Sequence, residues 1–191
     1  MTATRAVPPL LLLLAASAAG QVMFAGSCPR PPVVRHFQAE RYLGKWYEYS
    51  NYFAIFQVGG TCVTATYSDA GYGRIGVLNQ SRKNGRKNDI RGQAVPAGRQ
   101  GEAKLRVSFQ GTPSFGSGPN YNVIDTDYHN YAIVWSCTDM KLFNAQILWI
   151  LTRERFPDPY LIKDVRRKIR RYGLDPSKLQ RTDQKNCPYG H

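Results

Sequence analysis

From residue 45 onward the chain is divided into short runs in which apolar and polar residues alternate, and glycine or asparagine separates one run from the next. That pattern constrains the fold more than any single motif, because alternation with a period of two is the signature of strands covered on one face. The runs fall at 45–51, 62–68, 74–80, 89–95, 104–110, 120–125, 131–136 and 146–152. Asp69-Ala70-Gly71-Tyr72-Gly73 and Lys83-Asn84-Gly85-Arg86 read as hairpin turns, since glycine and asparagine tolerate positive φ. After residue 152 the period changes. Asp158 and Pro159 make a helix start and Gly173 a helix end, and between them Leu161, Val165, Ile169 and Tyr172 oppose Lys163, Arg166, Arg167, Arg170 and Arg171.

The pattern predicts an all-β fold: an eight-stranded up-and-down antiparallel barrel with one C-terminal α-helix packed outside. Its interior would be just wide enough for one small ligand. A two-sheet sandwich is the competing architecture and would fill that space with side chains. Gly44-Lys45-Trp46, opening the first strand, reads as a floor closed by an indole.

Within a strand, residues two apart share a face, so parity assigns the interior. It turns Val63, Ala65 and Tyr67 inward, with Ile75, Val77 and Asn79, then Leu105, Val107 and Phe109, and in the last strand Ile147, Trp149 and Leu151. The candidate ligand-binding residues are Tyr67, Asn79 and Trp149, which add sparse polar groups to an apolar wall, together with Val77, Phe109 and Leu151. Parity also predicts that Asn79, although it begins the sequon Asn79-Gln80-Ser81, carries no glycan in the folded barrel.

Arg5, Pro8-Pro9, the run Leu10 to Leu14 and the small residues after it read as a secretory signal peptide over residues 1–20, leaving one domain over 21–191 in a secreted, extracellular protein. An oxidising compartment favours two disulfides among Cys28, Cys62, Cys137 and Cys187, and three pairings are open. None has the close spacing of a zinc site, so no metal is expected. The net charge is +13. Secretion turns that charge away from nucleic acid and toward either an anionic membrane surface or a glycosaminoglycan, bound through the helix and the turn 82–87, or solubility alone, a solvated basic face being the more frequent explanation.

Gly44-x-Trp46, Thr126-Asp127-Tyr128 and Arg153 together resemble the three signature regions of the lipocalins. Val77-Leu78-Asn79-Gln80, Asn130-Tyr131-Ala132, Ser136-Cys137-Thr138, Trp149-Ile150-Leu151 and Asp183-Gln184-x-Asn186-Cys187-Pro188 look like the apolipoprotein D branch, which includes arthropod bilin-binding proteins. The resemblance implies that Arg153 packs across Trp46, that Gly44, Asp127 and Tyr128 are structural, and that the disulfides are Cys28–Cys137 and Cys62–Cys187. It also implies a pocket at Tyr67, Asn79 and Trp149.

The function expected is that of a secreted carrier enclosing one lipophilic molecule, a bilin, retinoid, sterol or fatty acid, for transport or sequestration. No cofactor is required, although a biliverdin-like chromophore or a lipid would fit as the bound occupant. No enzymatic activity is expected: a lipocalin-type isomerase needs a free inward thiol, and His36, His129 and His191 have no carboxylate partner at short range. The apolar segment 52–58 departs from the pattern and reads as a lid, a membrane-touching tip or a plug at the barrel mouth.

Overall fold

The computed structural model of the chain describes residues 21–112 and 118–188, so the leader read over 1–20 lies outside the described residues. All eight alternating runs form strands: β2 (Gly44–Tyr52), β3 (Gly60–Asp69), β4 (Ile75–Lys83), β5 (Arg86–Pro96), β6 (Lys104–Phe109), β7 (Tyr121–Thr126), β8 (Tyr131–Asp139) and β9 (Phe143–Thr152). Each pairs antiparallel with the next, and β9 also pairs with β2, which closes the barrel and excludes the sandwich. Asn84 and Gly85 take φ of +52° and +74°, the left-handed pair that a two-residue β4–β5 hairpin requires.

Two short strands escape the alternation. β1 (Val22–Ala25) pairs with the start of β9, and β10 (Leu179–Arg181) pairs with the end of β2. They occupy places where barrel neighbours diverge: β2 pairs with β3 only from Gly44 to Tyr47, and β10 takes up its upper end from Ser50 to Tyr52. Runs this short carry too few residues to display a period.

A four-residue helix, α1 (Ala39–Tyr42), precedes β2, and α2 (Pro159–Arg171) follows β9. The Asp158 carboxylate accepts from the Tyr160 N–H at 2.8 Å, and Gly173 at φ +77° lets the Leu174 N–H return to the Ile169 carbonyl at 3.1 Å. Ile162, Val165 and Ile169 are the buried residues of α2, so the seam runs through Ile162, one position beyond the Leu161 that the spacing indicated. They pack with Ile124, Ile133, Trp135, Leu148 and Ile150 on the outer face of β7 to β9. Those strands are therefore apolar on both faces.

The disulfides are Cys28–Cys137 and Cys62–Cys187, spanning 109 and 125 residues and tying each terminal segment to the wall. In the chain-entropy account, loops of this length each contribute roughly 4 to 5 kcal/mol.

Candidate ligand-binding interior

The inner apolar cluster runs the length of the barrel, and its exposure changes along the way. At the closed end Trp46 and Tyr42 have no exposed surface. The Trp46 indole N–H donates to the Tyr42 carbonyl at 2.9 Å, and the Arg153 guanidinium lies 3.7 Å from the centre of the indole ring. Arg153 also donates to the carbonyls of Tyr128 (3.1 Å), Lys45 (2.9 Å) and Arg41 (3.0 Å), so one side chain ties together α1, β2 and the β7–β8 turn. Gly44 sits at φ +91°, and a Cβ there would stand 3.2 Å from the Arg153 guanidinium. Asp127 organises the β7–β8 turn by accepting from the backbone N–H groups of His129, Asn130 and Tyr131. Burial works to raise its pKa, but these bonds and the Asn130 side chain outweigh it and hold the carboxyl below its usual range.

Above the floor an aromatic column continues from Tyr42 through Tyr67 and Tyr121 to Trp149, with ring centres 5.3, 6.2 and 6.4 Å apart in turn. The Tyr121 hydroxyl is hydrogen-bonded to both Tyr42 (2.8 Å) and Tyr67 (2.7 Å). Burial pushes all three phenols up, Tyr67 to about 12, so they are neutral donor–acceptors at physiological pH.

Parity places the interior residues, and exposure separates them into two zones. Tyr67, Val77 and Leu151 are buried in the inner cluster. Ala65, Asn79, Val107, Phe109, Tyr121 and Trp149 also face inward yet remain partly exposed. Asn79, Phe109 and Trp149 therefore form the partly exposed zone of the inward face above the buried floor, where β6 and β7 pair only at Lys104–Asn122 and Leu105–Tyr121. The Asn79 Oδ1 is shielded there and has no hydrogen-bond partner among the described residues. Two recorded hollows, of about 450 Å³ beside Phe24, Arg170 and Leu174 and about 540 Å³ at the β4–β5 hairpin, are open grooves outside the barrel.

Parity missed Tyr121, the first residue of its strand, and a polar group at the mouth. Glu48 lies two residues beyond Trp46 and opposite Leu151, hence on the inward face, and is only 3% exposed. Its carboxylate accepts from Gln57 Nε2 at 2.6 Å, Asn51 Nδ2 at 2.8 Å and the Thr182 hydroxyl at 2.6 Å. Gln57 in turn accepts from the Trp149 indole N–H at 3.2 Å. The loop that carries Gln57 is not a plug: Ile55, Phe56 and Val58 are exposed by 60, 63 and 45%.

None of the four cysteines is free, and among the described residues no cluster of His, Cys, Asp or Glu suits a metal ion. A closed eight-stranded barrel with a tryptophan floor, an arginine cover and an outer helix defines a lipocalin, and a family model for the lipocalin-like domain matches residues 37–184. The chain belongs to the lipocalin family, in its apolipoprotein D-like branch. It is 40% identical over 190 residues to apolipoprotein D of Oryctolagus cuniculus, covering 95% of this chain and 98% of that protein. It is 34% identical over 184 residues to the Lazarillo protein of Schistocerca americana, covering 93% and 83% of the two chains. Insecticyanin of the tobacco hornworm Manduca sexta has a similar fold, with a TM-score of 0.74 over 90% of this chain and 94% of that one at 23% identity.

Proposed function

We propose that the protein is a secreted carrier that encloses one small lipophilic molecule in the upper half of the barrel and carries out no bond chemistry. The observation that carries this reading is the partly exposed inward wall of Phe109, Tyr121, Trp149 and Asn79 above a sealed floor. Apolar burial at ~25 cal/mol per Å² supplies the affinity, and the Asn79 carbonyl, Trp149 and the tyrosine hydroxyls orient the ligand. A bilin, retinoid, sterol or fatty acid has the right character, and no metal or cofactor is needed. With every thiol bonded, an isomerase-type nucleophile is lacking. The absorption spectrum of protein from its natural source tests the reading: a red band identifies a bilin and a near-ultraviolet band a retinoid. Extraction with organic solvent then reveals a colourless lipid, and protein with no extractable lipophile that also fails to bind an added one refutes the carrier.

A second reading adds an anionic lipid surface as the place of loading. Exposed apolar side chains sit at the open rim on two tips, Ile55, Phe56 and Val58 after β2, and Met140 and Leu142 between β8 and β9 with Phe143 at the start of β9. The β4–β5 hairpin at the same rim sets like charges opposite one another, Arg82 with Lys87 and Lys83 with Arg86; Asp89 pairs with Lys87 at 2.9 Å, and the hairpin still presents a basic tip to an anionic surface. The basic helix is not part of this surface. It packs on β7 to β9, across the barrel from the hairpin, with Arg166 bonded to the Pro176 carbonyl, Arg167 paired with Asp164 and Lys168 paired with Asp125. Flotation with vesicles containing phosphatidylserine, lost at high salt or with neutral lipid, supports rim docking. Equal binding to heparin and vesicles would point to charge alone.

A further inference from the structure

Glu48 is a buried carboxyl with no cation beside it among the described residues. On β2 its titratable neighbours Tyr47 and Tyr49 are covered by Arg155 (5.1 Å) and Arg181 (3.3 Å) instead. The loop 53–59 and strand β9 contain no ionisable side chain, and β3 contributes only Tyr67 and Asp69 toward the closed end. The C-terminal segment brings Arg181, stacked on Tyr49, then Asp183, whose carboxylate caps the Lys185 N–H at 2.9 Å, and Lys185 itself. Burial pushes the Glu48 carboxyl above the usual carboxylate range, and its bonds to Thr182, Gln57 and Asn51 only partly offset that. Both oxygens of this buried carboxyl are occupied by hydrogen bonds, as its removal from water requires.

Its partners come from separate parts of the chain. Thr182 belongs to the C-terminal segment, which is further fastened where Gln184 Nε2 donates to the carbonyls of Glu48 (3.1 Å) and Val63 (2.7 Å). Gln57 belongs to the rim loop, and Trp149 to the ligand-facing wall. The order is therefore C-terminal segment, Glu48, Gln57, Trp149. The amide of Gln57 is fixed in orientation because its Nε2 donates to a carboxylate while its Oε1 accepts from an indole.

We propose that Glu48 is a positioning residue for ligand binding, holding the Trp149 indole in its ligand-facing orientation through Gln57, and that its protonation loosens this wall. The inference rests on the carrier reading and deepens it by assigning regulation to the same site. Whichever oxygen takes the proton, the charge-assisted bond from Gln57 becomes a weaker neutral one. If Oε2 takes it, donor faces donor and Gln57 must turn, leaving Trp149 without its acceptor. Protonation of Glu48 does not itself act by unfolding the chain. A carboxyl raised in the folded state contributes stability that is present at low pH and lost as pH rises through its folded pKa, so at this group protonation favours the fold while it weakens the wall.

The test is titration of the full, disulfide-bonded protein with Nile red, a neutral probe, between pH 7.5 and 4.5, with near-ultraviolet circular dichroism confirming the fold at each pH. Wild type is expected to bind about fivefold to tenfold more weakly at the acid end. Glu48→Gln should bind at pH 7.5 as wild type does in acid, with no further pH dependence. Gln57→Met, which leaves Glu48 and the C-terminal segment in place, should be equally flat, and it carries the test if Glu48→Gln does not fold. A pH-independent wild type, or a pH dependence that survives Gln57→Met, overturns the inference while leaving the carrier intact. Absence of saturable probe binding at every pH refutes the carrier reading, and with it the inference.

Discussion

At the closed end of the barrel Trp46 is fully buried and its indole N–H is bonded to a backbone carbonyl, whereas at the open end Trp149 is partly exposed and its N–H meets a side-chain amide on a loop. Both lie on the inward face of a strand, and both belong to the same aromatic column. The difference is in what holds them. A backbone acceptor and an arginine bonded to three carbonyls cannot be altered without moving the fold, so Trp46 is architecture. A glutamine positioned by a carboxylate can turn, so Trp149 is adjustable. The sealed end is thus held through main-chain acceptors, and the open end through side chains.

Substitutions at the two ends should separate these roles. Trp46→Ala should cost about 3 to 5 kcal/mol in denaturant unfolding, from lost burial and the cavity it leaves. A loss below about 1 kcal/mol would remove Trp46 from the structural floor. Breaking the Cys62–Cys187 bridge with paired serines should cost about 2 to 5 kcal/mol and free the C-terminal segment that carries Thr182, seen as earlier proteolysis of that segment. At the open end Trp149→Ala should weaken ligand binding about tenfold or more, by loss of aromatic burial, with less effect on unfolding than Trp46→Ala. Asn79 should show no mass shift on glycosidase treatment of the secreted protein. The smallest effect is expected for Phe56→Ser, within about 0.5 kcal/mol of wild-type stability, because the ring is already in solvent; its vesicle binding should fall all the same.

At the closed end the residues themselves marked only the tryptophan at the strand start as a floor; the arginine that covers it and the structural roles of Gly44 and Asp127 came from the family resemblance, because an arginine more than a hundred residues away carries no local signal of that contact. The barrel itself followed from alternation, and parity placed Asn79, Phe109 and Trp149 on the inward face, where the structure has them. The mouth was not legible, for physical reasons. Gln57 lies in a loop that has no period, and Thr182 reaches Glu48 from a segment 134 residues away. Glu48 could have been assigned inward by counting from Trp46, but a register shift between Glu48 and Ser50 reverses the face of the residues that follow. Tyr52 consequently joins the outer cluster beneath α2. Pairing of the cysteines required the family resemblance, since spacing left three alternatives.

The most direct test of a sealed floor beneath a ligand-binding upper half is a fluorescence titration of the disulfide-bonded protein with a lipophilic probe at neutral pH, comparing wild type with Trp149→Ala. The account predicts saturable binding of one probe per chain, quenching of protein fluorescence in wild type, and an affinity at least about tenfold weaker in the variant. Equal affinity in the two proteins, or no saturation in either, would contradict it.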